Sequence, residues 1–182
     1  MLPERSVQLW NEPIVPDRIY AMSTPKAYIQ TYGCQMNEHD TYRMMGVLAA
    51  EGYAMSEAAD DASLIVINTC SVRHNPENKV YSFLGTLRDR KRQDPNLIVA
   101  VAGCVAQQEG ESILAREKAV DIVFGPDNLF QLPDMIDRAR AGERVLMTKW
   151  QPHDKRVQNF IPEEWVEKGH VEGCKAYISI TK

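Results

Sequence analysis

The chain has 182 residues, 44% of them apolar and 25% charged, with a formal net charge of −4. These are the proportions of an ordinary globular protein long enough for one sizeable core. They exclude a chain that holds nucleic acid through bulk positive charge, although a local basic patch remains open.

No apolar run approaches the roughly 20 residues that a bilayer-spanning helix needs. The start, MLPERSVQLWNEP, lacks the basic-then-apolar pattern of a secretory signal. A cytoplasmic protein is therefore expected, in a compartment where thiols stay reduced.

Residues 1–25 are interrupted by prolines and show little periodicity, which predicts an extended arm. A strand at about 26–33 follows. In NEHDTYRMMGVLAAEG, Tyr42, Met45, Leu48 and Ala49 recur at helical spacing, with Asn37 as the expected N-cap and Gly52 past the end. The paired methionines read as core rather than as thioether ligands. A short strand is expected at 53–56. LIVIN, from Leu64, is a continuous apolar run, the signature of a strand buried on both faces.

The next helix start is well marked, with Asn75 as cap, Pro76 in the first turn and Glu77 at the positive end of the dipole. Val80, Phe83, Leu84 and Leu87 supply an apolar stripe, and the helix should stop before Asp94-Pro95. NLIVAVAG predicts another buried strand, VAQQEGESILAREK a helix and DIVFG a short strand. NLFQLPDMIDRARAG predicts a last helix, with Pro133 near its start and Gly142 past its end, and RVLMTK an edge strand. This alternation predicts an α/β fold: a mostly parallel open sheet with helices on both faces, a three-layer arrangement of the Rossmann or flavodoxin kind. Past Lys149 neither period is evident until KAYISITK, which reads as one strand. The predicted organisation is an arm at 1–25, a folded domain at 26–149, and a linker with a terminal strand at 150–182.

Cys34, Cys70 and Cys104 recur at intervals of 36 and 34 residues. A strand–helix–strand unit takes roughly 30 residues or more, so each cysteine falls at the carboxyl end of a successive parallel strand. Strands lie about 4.8 Å apart, and ligands of open α/β sheets bind at that edge. The helix after each cysteine points its N-terminus there, a field that favours thiolate. A lone cysteine at a strand end is as a rule a packed small residue. Three in register make a site for a soft metal or an iron–sulfur cluster. Cys174 precedes its strand and is read as outside the set.

Other signals are weaker. RDRKRQ (88–93) could touch phosphate, or could complement a helix C-terminus. His39 and His74 could hydrogen-bond to ligating sulfurs, or could face solvent. The chain has no GxGxxG, phosphate loop or HExxH, and no catalytic residue is assigned.

At TYGCQMNEHD, VINTCSVR and VAGCVAQQEGE the chain resembles the N-terminal domain of the methylthiotransferases, a branch of the radical S-adenosylmethionine enzymes. The resemblance covers roughly residues 26–149 and is strongest to the MiaB type, which acts on tRNA. It implies that Cys34, Cys70 and Cys104 hold an auxiliary [4Fe–4S] cluster with one iron open to exogenous sulfur. The implied reaction puts a methylthio group on carbon 2 of an isopentenylated adenosine beside the tRNA anticodon. The full-length enzyme would be a monomeric transferase with a second [4Fe–4S] cluster, S-adenosylmethionine and tRNA as partners, and no membrane association.

The family's CxxxCxxC is expected directly after AYISITK, where this sequence ends at Lys182. The chain is therefore expected to be a fragment, inactive alone, whose last residues begin the radical domain. RHNPENK departs from the family's usual Glu/Ala-rich segment after the second cysteine. An alternative is a stand-alone metal- or redox-binding module using the same cysteines for zinc or as oxidisable thiols. A flavodoxin-like cofactor binder would need a phosphate loop, which is absent.

Overall fold

The structure is a computed structural model describing residues 24–71 and 76–149, with backbone only for 76–78. The expected arm at 1–25 falls almost wholly outside the described residues. His74, Asn75, the 150–182 segment and Cys174 lie outside them too.

The elements run β1 (Lys26–Tyr32), α1 (Gln35–Ala50), β2 (Ala54–Met55), β3 (Leu64–Thr69), α2 (Pro76–Gln93), β4 (Ile98–Gly103), α3 (Cys104–Arg116), β5 (Ile122–Phe124), α4 (Leu132–Arg140) and β6 (Val145–Met147). A 3-10 turn at Pro126–Gln131 leads into α4, which starts beside Pro133 and ends just before Gly142, as expected. The six strands form one parallel sheet in the order β2-β1-β3-β4-β5-β6. The chain starts at β1, steps out to β2, then crosses back to β3 and proceeds the other way. Strand order therefore reverses between β1 and β3, the place where open α/β sheets bind ligands.

β3 and β4 are buried at every position, as expected of their apolar runs Leu64–Ile67 and Ile98–Ala102, and the burial extends to the polar Asn68 and Thr69 that end β3. Alternate residues feed the two faces. Leu64, Val66 and Ala100 meet Met44, Val47 and Leu48 of α1 and Leu132, Met135 and Ile136 of α4 on one side. Ile65, Ile67, Val99 and Val101 meet Val80, Leu84 and Leu87 of α2 and Val105, Ala106 and Ile113 of α3 on the other. The three-layer α/β reading is borne out. Among the described residues no helix is long and apolar enough to cross a membrane.

Two local readings are corrected. Of the expected α1 stripe Tyr42, Met45, Leu48 and Ala49, only Leu48 is buried, and Met44 and Val47 complete the inward face. Its N-cap is Cys34 rather than Asn37, which sits three residues into the helix with its side chain drawn into the neighbouring strand. Asn37 still serves the cap from inside the helix, its Oδ1 accepting the Cys34 N–H, while its Nδ2 reaches the buried partners on β3.

Three of the four cations in the basic run reach to the strand ends. Arg88 makes a two-pronged bond to Glu117, with contacts of 2.9 and 2.7 Å, Arg90 donates to the carbonyls of Ala59 and Ala62, and Lys91 donates to Leu97 and, at 2.7 Å, to Asp121. These side chains clasp the amino-terminal ends of the strands instead of forming a phosphate-binding face. Glu117 is only 2% exposed while Arg88 is 55% exposed. Arg88→Ala should cost about 1–3 kcal/mol, because it strips a buried carboxylate of its charged donor. Arg92→Ala, which removes an exposed pair with Asp89, should stay within about 0.5 kcal/mol. Urea denaturation midpoints check both, and equal effects would contradict the clasp.

Candidate metal centre

Tyr32, Thr69 and Gly103 are register partners across β1, β3 and β4. Cys70 and Cys104 follow one residue beyond that level and Cys34 two beyond, all at the carboxyl edge. Cys70 is 1% exposed, and Cys34 and Cys104 are half-buried. The Cys34 thiol interacts with that of Cys70, and Cys104 feels the charge of both. The fold thus brings the three sequence-predicted cysteines together. Among the described residues, no three His, Cys, Asp or Glu side chains stand in an arrangement that could hold a metal ion.

The sulfurs differ electrostatically. Burial would raise the Cys34 thiol, but backbone N–H groups of Asn37 and Met36, the Cys70 thiol and its own N–H together hold it below the ordinary thiol value. Burial pushes the Cys104 thiol up; charge at Cys70 adds to this, with smaller contributions from Cys34 and Asp40, while the Ser71 N–H opposes. A group at the N-cap receives the free amides of the next turn, whereas Cys104 is already the first residue of α3. The expectation that the helix after each cysteine favours its thiolate is therefore corrected for Cys104.

Beneath the sulfurs runs a buried polar chain. Asn37 Oδ1 accepts from the Cys34 N–H at 3.4 Å and from its thiol at 3.5 Å. Asn37 Nδ2 donates to Asn68 Oδ1 at 3.0 Å and to the Thr69 carbonyl at 2.8 Å. Asn68 Nδ2 donates to the Asn37 carbonyl at 2.8 Å and to Thr41 Oγ1 at 3.0 Å. Thr69 Oγ1 donates to the Ala102 carbonyl at 2.6 Å, reaching the third strand.

Two glycines make room for this packing. A Cβ at Gly33 would lie 2.5 Å from Asn37 Oδ1. One at Gly103, whose φ is +96°, would overlap the Thr69 carbonyl and lie 2.7 Å from Asn68 Oδ1. Sequence reasoning missed Asn68 and Thr69, although two polar residues ending an otherwise apolar strand are a signal that buried polar partners await them. His39 lies partly buried, its Nδ1 3.8 Å from Asp40 and without a hydrogen-bond partner among the described residues. Asp40 pairs with Arg43 at 3.2 Å.

Residues 26–125 match the family described as "Uncharacterized protein family UPF0004". The chain belongs to this family. It is 44% identical over 158 residues to the tRNA-2-methylthio-N(6)-dimethylallyladenosine synthase of Paraburkholderia phymatum, covering 86% of this chain and 33% of that protein. The protein of the same name from Paraburkholderia xenovorans is 45% identical over 158 residues, with the same shares. That from Cereibacter sphaeroides (strain ATCC 17029 / ATH 2.4.9) is 44% identical, covering 84% of this chain and 36% of its own length. The chain thus spans about a third of the length of the curated relatives it matches. The UPF0004 segment is the methylthiotransferase N-terminal domain that the motifs around the cysteines resemble. It takes in all three strand-end cysteines.

The thiol asymmetry is open to measurement in the reduced, metal-free chain. The nucleophile is the thiolate, so the pH profile of iodoacetamide modification should have its midpoint below that of a free thiol at Cys34 and above it at Cys104. Peptide mass spectrometry separates the two sites, and coincident profiles would refute the assignment.

Proposed function

We propose that this chain is the auxiliary-cluster domain of a tRNA methylthiotransferase, an enzyme that adds a methylthio group to carbon 2 of N6-isopentenyladenosine next to the anticodon. The supporting observation is the position of Cys34, Cys70 and Cys104 at the carboxyl ends of three adjacent parallel strands, beside the reversal of strand order. The relatives' names support this reaction and support tRNA as the substrate of the whole enzyme. In this reading residues 26–149 are the cluster domain, 1–25 an arm, and 150–182 a linker leading to the radical domain, in a cytoplasmic, monomeric protein.

The donor set suits the cluster. Three thiols are soft ligands, and a [4Fe–4S] cluster takes one thiolate per iron. Cys34, Cys70 and Cys104 would hold three irons, and the cluster would supply a fourth, open position for the sulfur to be transferred. The chain's own residues prepare the site. The amides of Met36 and Asn37 stabilise charge on Cys34, and the buried Cys70 keeps one ligand away from water. The second [4Fe–4S] cluster and the S-adenosylmethionine site are assigned to a CxxxCxxC that these 182 residues do not contain.

Anaerobic reconstitution with iron and sulfide should give about four of each per chain and a visible absorption band, as a [4Fe–4S] cluster requires. Cys34→Ala, Cys70→Ala and Cys104→Ala should each lose most of the iron, while Cys174→Ala keeps it. Tight zinc binding without iron uptake would favour the stand-alone module instead. Loss of iron in Cys174→Ala, with retention in any of the other three, would refute the ligand assignment.

The isolated polypeptide should release no 5′-deoxyadenosine from S-adenosylmethionine under reducing conditions and should leave tRNA unmodified. Product formation above a protein-free control would overturn the division of labour between this domain and the radical domain.

A further inference from the structure

We infer that Asn37 and Asn68 are positioning residues that set the spacing of Cys34 and Cys70. The inference rests on the metal-centre reading only for the purpose of that spacing. The β1–β3 ladder ends at the Tyr32–Thr69 pair. Both cysteines lie beyond it, where no strand pairing fixes one chain against the other. The reciprocal amides take over at that point. Asn37 reaches from the first turn of α1 to Asn68 and the Thr69 carbonyl, and Asn68 reaches back to the Asn37 carbonyl.

Asn37 and Asn68 are 2% and 1% exposed, so these bonds have little competition from water. The orientation of the Asn37 amide is determined by its surroundings. Its nitrogen faces two acceptors, and its oxygen faces the N–H and thiol of Cys34. A single side chain thus touches Cys34 directly and holds the residue just before Cys70. Thr69 carries the tie onward to Ala102, two residues before Cys104. Thr41 props Asn68 from the next turn of α1 and contacts Thr31 Oγ1 at 2.7 Å.

Buried polar groups of this kind cost stability when partly satisfied. A core of the same volume could be built from apolar side chains. What an apolar core would not supply is a directional tie between two thiol-bearing loops.

The test measures thiol spacing without any metal. In a Cys104→Ala, Cys174→Ala background, the Cys34–Cys70 pair is equilibrated with glutathione: two protein thiols and one glutathione disulfide give one protein disulfide and two glutathione thiols. The equilibrium constant reports the effective concentration of one thiol at the other. Asn37→Ala and Asn68→Ala should each lower it at least tenfold while circular dichroism stays native. Leu87→Ala, a core truncation in the last part of α2 that serves as the stability control, should change it less than twofold. If neither Asn variant folds, Thr41→Val decides, with a several-fold fall expected. Asn variants that fold and keep the parent value, or an unchanged Thr41→Val where they do not fold, would overturn the inference.

A cobalt(II) titration of the unaltered chain runs in parallel. Absence of a thiolate-to-cobalt charge-transfer band there would count against the metal centre, while the glutathione result judges the spacing on its own.

Discussion

Tyr32, Thr69 and Gly103 stand level across β1, β3 and β4, and the geometry of the candidate site follows from that parallel register. Because the strands run the same way, every strand-to-helix turn is delivered to the same edge. A residue type placed just after three neighbouring strands is then gathered into one neighbourhood without any long-range sequence signal. An antiparallel partner would have sent one cysteine to the far edge. The burial of β3 and β4 on both faces holds this register, since a one-residue slip would exchange the inward sets packed against α1 and α4 with those packed against α2 and α3.

At the rim the ladder gives out and side chains carry the order. Asn37, Asn68, Thr69 and Thr41 form a buried polar chain under the sulfurs, and Gly33 and Gly103 leave it the space it needs. The same rim differentiates the thiols. Cys34 caps a helix and collects its free amides, while Cys104 begins one and is governed by burial. Cysteines in equivalent places of a repeated unit are thus chemically unequal, because Cys34 lies one residue before its helix and Cys104 is the first residue of its own.

The opposite edge shows how far local charge can mislead. Arg88, Arg90 and Lys91 resemble a phosphate-binding cluster in one dimension, yet each reaches a carboxylate or carbonyl in the fold. Long cationic side chains cover apolar stems and satisfy strand-end carbonyls at once. The two edges are thereby specialised: cations clasp one, and thiols with buried amides occupy the other.

Much of this was legible in the chain itself. Apolar runs without alternation announced fully buried strands, Pro76 marked a helix start, and the near-equal intervals between cysteines placed them at strand ends, because those features depend only on local periodicity and on the length of a strand–helix unit. Strand order, and with it the reversal between β1 and β3, was not legible, since pairing partners are chosen by packing across the whole sheet. Nor was the role of Asn37, which local preference assigns to a helix cap. It became a bridge only because β3 brings Asn68 to within hydrogen-bonding distance, 31 residues later in the chain. Sequence alone determined that three cysteines end successive strands and fall on one edge; the tertiary structure decided which side chains touch there, because contact between distant segments is settled by sheet order and register rather than by any local preference.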